Sequence, residues 1–264
     1  MMRNTWYPKS LKGLKNIQMK FTLEVIGFSI EGCIIAQDVG ADRIELCDNH
    51  NEGGATASYG FIKAAREKLH IDLYPLIHPR GGDFFYTDEE FEIIKTDVRL
   101  CKELGCNGVV IGALTKDGKV DKKRCSLLVD YAYPLGVTFH RAFDRTCDPF
   151  EALEDIIDIG CERILTSGQK STAPEGAELL KQLIVKADDR IIIMPGSGVR
   201  SDNVTDLAET TGAVEFHTSA RIKVPGKMTY KNPLMKENTD SISVDGNEVR
   251  KILNALSVIK TADS

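Results

Sequence analysis

Short apolar runs, most of them ending in a polar residue, alternate along this chain with segments that read as helix. The runs are Leu23–Phe28, Arg43–Asp48, Asp72–His78, Gly108–Leu114, Gly136–Phe143, Glu162–Thr166, Arg190–Met194 and Ala213–Ser219. Runs of apolar, β-branched residues separated by helices predict parallel strands covered by helices. The helices are marked by their ends. Ile30–Val39 closes at Gly40, Ser58 caps a helix to Leu69, and Thr87 with Glu90 makes a capping box for one ending at Gly105. A fourth runs from Asp121 to Tyr131, a fifth from Asp148-Pro149 to Gly160, and a sixth from Glu175 to Lys186. Ser201 opens a short seventh reaching Thr211, and the last spans Glu248–Ile259.

Eight such units without a linker predict one α/β domain, a (β/α)8 TIM barrel over residues 21–264. An open doubly wound sheet is the alternative, but the first turn lacks the GxGxxG of its dinucleotide-binding version. The 264-residue length suits a barrel, which typically needs about 250. Residues 1–20 carry Arg3, Lys9, Lys12, Lys15 and Lys20 and no acid. They read as a disordered extension, since they lack the apolar core of a signal peptide. From Arg221 to Asp245 the chain is polar and aperiodic, long for a loop, and reads as a lid, a subunit contact or a solvated segment.

Side chains alternate along a strand, so parity sorts the polar residues. Arg43, Glu45 and Cys47 share one face of the second strand, and Glu45 and Cys47 should face inward, as should Glu24 and Ile26, His78 and Arg80, Thr138 and His140, and Glu215 and His217. Carboxylates and imidazoles inside a barrel are costly unless paired, and a parallel barrel keeps its chemistry at the strand ends. The candidate catalytic set is therefore Glu24, Glu45, His78, Arg80, His140, Arg141 and His217. Each also has a structural reading, such as a Glu45–Arg80 ion pair or a satisfied core histidine. A second group, Ser167, Gly168, Gly196, Gly198 and Val199, follows strands six and seven. Its backbone amides could hold an anion, with Arg80 or Arg141 adding charge; the same glycines could simply turn tight corners.

Composition narrows the partners. A net charge of -5 argues against nucleic acid, and no apolar stretch has the roughly 18 to 20 residues of a membrane span. Seven cysteines, an odd number scattered singly, suit a reducing compartment, so the protein reads as cytoplasmic. A small-molecule or metal ligand is the expected partner.

The segments PRGGDF (79–84), VTFHRAFD (137–144), LTSG (165–168) and EFHTSA (215–220), with DRIELC (42–47), EGG (52–54) and MTYKNP in the long loop, closely resemble the CutC family, named for copper homeostasis. The resemblance runs from about Phe21 to the C-terminus. It implies a cytoplasmic (β/α)8 barrel that assembles as a homodimer or larger homo-oligomer, and an association with copper. Family members with a proposed Cu(I) site carry a cysteine where this chain has Ile26, beside the position of Cys47. Two thiolates on neighbouring strand ends suit soft Cu(I), whereas here Cys47 stands alone as candidate metal ligand. Where many relatives have arginine, this chain has the titratable His78.

Two functions remain in competition. One is Cu(I) handling through Cys47. The other is a barrel enzyme acting on a small anionic or phosphorylated substrate, with His140 or Glu45 as base and His217 as acid. A catalytically silent scaffold ranks last, because it has no reason to keep charges inside its mouth.

Overall fold

The computed structural model describes residues 21–259 apart from 231 and 237. The extension expected at 1–20 lies outside the described residues. Eight parallel strands alternate with eight helices in the predicted order: β1 Thr22–Gly27, α1 Ile30–Asp38, β2 Arg43–Leu46, α2 Tyr59–Lys68, β3 Asp72–Pro75 and α3 Asp88–Glu103. Then come β4 Gly108–Ile111, α4 Lys122–Ala132, β5 Gly136–Phe139, α5 Pro149–Ile159, β6 Arg163–Thr166, α6 Ala177–Ala187, β7 Ile192–Pro195, α7 Val204–Thr211 and β8 Glu215–Thr218. The last helix, α8, is Gly246–Ser257.

Hydrogen-bonded ladders join the strands as β3-β2-β1-β8 and β4-β5-β6-β7. A parallel bridge between Leu76 and Val110, with Ile77 N–H donating to the Val110 carbonyl at 2.8 Å, links β3 to β4. Strand β7 lies beside β8 on the other side. This is the (β/α)8 barrel, with its helices outside.

Parity divides the core. Leu23, Val25, Ile44, Leu46, Val109 and Ile111 belong to the large cluster between strands and helices. Cys47, Tyr74, Leu76 and Val110 form a separate small cluster with Ile26 and Phe28 packed against it. Several caps are as the sequence predicts. Ser58 accepts from Phe61 N–H, Thr87 and Glu90 form a reciprocal capping box, and Asp148 caps α5 ahead of Pro149.

Three expectations are corrected. Ser201 does not cap α7; its amide and hydroxyl donate to Glu248 at 2.8 and 3.0 Å, tying α8 to the loop, and the helix starts three residues later behind Asn203. The fifth strand stops at Phe139, because His140 Nδ1 accepts from Ala142 N–H and turns the chain into a 3-10 helix at Arg141–Arg145. The segment read as aperiodic from Arg221 contains an antiparallel hairpin, β9 Arg221–Val224 with β10 Ser241–Val244. Ser-Ile-Ser-Val alternates with period two, a strand signal set among polar neighbours. Among the described residues, no helix is long and apolar enough to cross a membrane.

Candidate active site

Strand register builds the inner polar network. Glu24 lies level with Arg43 on β2 and with His217 on β8, and all three side chains point inward. Arg43 Nε donates to Glu24 Oε2 at 2.5 Å, and its second nitrogen donates to Glu215 Oε2 at 2.6 Å. Arg163 Nε reaches the same Glu215 oxygen at 3.0 Å. Both guanidinium groups lie over the Tyr74 ring, 5.2 and 5.4 Å from its centroid. Gly108 admits that ring: a Cβ there would stand 2.1 Å from Tyr74 Cε1.

Above this layer, His217 Nδ1–H donates to Glu24 Oε1 at 2.7 Å, leaving Nε2 3.7 Å from Glu45 Oε2. Burial would push the Glu24 carboxyl up, but Arg43 and His217 outweigh it and hold the pKa near about 2. Glu45 has weaker compensation. Burial, with the Glu24 charge adding to it, pushes its pKa up to about 7 against the pull of His217. Burial alone would lower His217, yet its hydrogen bond with Glu24 and the charges of Glu45 and Glu24 raise it.

Glu45 and His217 line a cavity of about 740 Å³ together with His78, His140 and Arg141. His78 and His140 are each 4% exposed, with ring centroids 6.0 Å apart. His140 rests over Gly112, where a Cβ would meet its ring at 2.6 Å. Burial, and then the neighbouring His78, hold the His140 pKa down near about 3; burial also lowers that of His78.

Other candidates lie elsewhere or are engaged. Arg80 does not pair with Glu45. It is half-exposed, donates to Glu90 at 2.6 Å and to Asp83 at 3.2 Å, and braces the 81–85 turn from outside the cavity. Arg141 lines the cavity but is held by Asp144 at 2.8 Å and by the Ser167 hydroxyl at 3.0 Å. In the glycine-rich group, the Gly168 amide already donates to the Thr166 hydroxyl and the Gly196 amide to the Thr166 carbonyl. Ser167 is buried against Asp144, and Val199 is buried with its carbonyl accepting from Thr218. Gly198 alone of the five lines the cavity.

Cys47 is fully buried and is not part of the cavity wall. Burial, then the charges of Glu45 and Glu24, raise its pKa well above the ordinary thiol value, so it stays protonated. Ile26 takes the neighbouring position on the cavity wall.

Sequence reasoning missed several members. Arg43 and Arg163 carry the inner network, Asp144 organises the turn after β6, and Phe84 packs on both buried imidazoles. Arg43 shares the face of Glu45, so parity already contained that signal. Phe84 had none, since a loop phenylalanine looks like any other.

An eight-stranded parallel barrel with buried ionisable groups inside it and helices outside belongs to the class of TIM-barrel proteins. The pattern of the CutC family matches residues 21–222, and the chain belongs to that family. It is 51% identical over 209 residues to a CutC family protein of Chromobacterium violaceum, covering 79% of this chain and 85% of the relative. It is 47% identical over 212 residues to the human copper homeostasis protein cutC homolog, covering 80% and 78%. The structure of a copper homeostasis protein CutC from Streptococcus agalactiae superposes with a TM-score of 0.72 at 32% identity, over 75% of this chain and 98% of that one.

Proposed function

We propose that this protein serves copper homeostasis, the process its human relative is named for, from the cytoplasm and through a small-ligand site at the barrel mouth. Glu45 carries the reading. It is buried on the wall of a cavity whose volume falls in the range of small-molecule sites, and its pKa of about 7 lets it both take and give a proton at neutral pH. His217, oriented by Glu24, is its partner. Lys116, Arg141, Arg145 and Arg221 line the cavity against the acids Glu52 and Asp83, an excess of cations on an acidic chain that favours a small anionic substrate. The reaction class is proton transfer on such an anion.

Thiolate storage of Cu(I) does not fit these residues. Cys47 is buried and protonated, and the adjacent inward position is the aliphatic Ile26. A second reading keeps a metal. One donor atom from each of Glu24, Glu45 and His217 lies within 4.8 Å of the others, and oxygen with imidazole nitrogen suits a harder cation than Cu(I). Arg43, bound to Glu24, opposes that cation, so the acid–base reading ranks first. We place a homo-oligomer contact in the segment between β9 and β10, where Met228, Tyr230, Leu234 and Met235 are exposed.

An anaerobic Cu(I) titration against a chelator, beside a thermal-shift series with inorganic phosphate and small organic phosphates, tests the reading. The expected result is no Cu(I) held through Cys47 and a rise in Tm with anions. Stoichiometric Cu(I) binding abolished by Cys47→Ala would overturn it.

A further inference from the structure

His78 and His140 are the least explained groups in the cavity wall. Each uses Nδ1 on the backbone, but with opposite polarity. His78 Nδ1 faces the Gly54 carbonyl oxygen at 2.8 Å, and a carbonyl can only accept, so this nitrogen carries the proton. His140 Nδ1 faces the Ala142 amide at 3.1 Å, and an amide N–H can only donate, so this nitrogen is bare. Burial keeps both rings neutral. A neutral imidazole has one proton, so His78 Nε2 is an acceptor and His140 Nε2–H a donor. Both Nε2 atoms are buried and make no hydrogen bond among the described residues, although the Asp83 carbonyl also acts on the His78 ring. An unpaired buried polar group is destabilising, and this pair keeps two.

We propose that His78 and His140 together bind one hydroxyl group of a small anionic ligand. His140 Nε2–H donates to the hydroxyl oxygen, and the hydroxyl hydrogen donates to His78 Nε2. A hydroxyl is the small group that satisfies one donor and one acceptor at once. The inference rests on the mouth-site reading above and narrows it to hydroxylated anions, the chemistry shared by sugar phosphates and hydroxy acids.

The anionic end has its own partners. Lys116, Arg145 and Arg221 line the same cavity, and none forms a salt bridge with another described residue. Of the exposed acids on the same wall, Asp83 pairs with Arg80, while Glu52 accepts from the Asn49 side-chain amide and keeps its charge. Phe84 packs against both imidazoles, 5.2 and 4.8 Å between centroids, and also lines the cavity. Because both Nε2 atoms are closed to solvent, the ligand hydroxyl reaches them when this ring shifts, and the ring face then receives the ligand's carbon skeleton.

Calorimetric titration of the full chain with ribose 5-phosphate, glycerol 3-phosphate, propyl phosphate and inorganic phosphate tests the proposal. The hydroxylated phosphates should bind roughly ten-fold or more tightly than propyl phosphate, the worth of one or two hydrogen bonds. His78→Ala and His140→Ala should each erase that preference while inorganic phosphate binding persists. Anion binding indifferent to hydroxyls, or a preference that survives both substitutions, overturns this inference and leaves the mouth-site reading intact. No binding of any of the four overturns both. Nitrogen-15 spectra of the ligand-free protein give an independent check that does not rely on variants. Opposite neutral tautomers are expected for the two rings, and identical tautomers overturn the pairing.

Discussion

His217 and Glu24 share a hydrogen bond of 2.7 Å between Nδ1 and Oε1, while the other Glu24 oxygen holds Arg43 at 2.5 Å. One carboxylate thus orients the imidazole and neutralises the inner guanidinium. Glu24→Gln keeps the shape but removes the charge. Breaking one side of a buried ion pair costs about 3–5 kcal/mol, and the lower end is expected because Glu215 still faces Arg43. The same change should lower the His217 pKa. Urea unfolding and an NMR titration of His217 check both; an unshifted His217 would mean that Glu24 does not set its basicity.

The barrel and most of its caps were legible in the sequence because they follow local rules: parity, turn glycines and Ser, Thr or Asp ahead of a helix. The candidate site was legible in some of its residues, not in Arg163 or Phe84, and not in its pairings. Parity placed Glu24, Glu45 and His217 on one face, yet the choice of partner depends on register between strands, which sequence spacing does not fix. Arg80 shows the gap. It follows β3 like His78, but the turn after Pro79 swings its guanidinium outward to Glu90. Whether a backbone amide is already used, as at Gly168 and Gly196, is likewise a tertiary fact.

His140 makes stability depend on acid. Its unfolded ring takes a proton below pH 6.5, whereas the native ring resists until about 3. Its contribution is therefore complete above pH 6.5 and is lost as pH falls toward 3. The limiting slope is about 1.4 kcal/mol per pH unit for one proton. Glu45 acts oppositely in part of that range, so a difference measurement is needed. The stability gap between wild type and His140→Phe should move against wild type as pH drops from 6.5 to 4.5; a constant gap would mean that His140 titrates normally.

Glu45 gives the reverse sign. Its folded pKa of about 7 lies above the ordinary 4.5, so its contribution is complete below pH 4.5 and is lost as pH rises through 7. Glu45→Gln mimics the protonated acid and should gain on wild type between pH 5 and 8, read as a Tm difference that widens with pH. Any turnover at the mouth should fall with the same substitution. A Tm difference independent of pH would place the Glu45 pKa in the ordinary range.

Gly112→Ala tests the seat of His140 without touching an ionisable group. The added Cβ would stand 2.6 Å from the His140 ring and 3.1 Å from the Ala142 Cβ, so the ring must move. Overpacking of this kind costs about 1–3 kcal/mol. The barrel should survive with its circular dichroism unchanged, while the His140 resonances shift and the histidine pair separates. Unchanged His140 resonances would show that the turn absorbs the methyl group instead.

Ile26→Cys asks whether the strand ends can still make a copper site. Ile26 lies level with Glu45, and Cys47 follows two residues on along the same inward parity, its amide bonded to the Gly27 carbonyl at 2.9 Å. The wild-type thiol is a poor ligand, because burial and the flanking acids keep it protonated. A second sulfur, placed on the cavity wall where Ile26 now lies, supplies the soft pair that Cu(I) prefers, and the metal's charge then favours both thiolates. Ile26→Cys should hold Cu(I) against a chelator that strips the wild type, and adding Cys47→Ala should abolish the gain. If Ile26→Cys behaves as wild type, the two positions are not poised for shared ligation, and the missing cysteine is not what separates this chain from a Cu(I) binder.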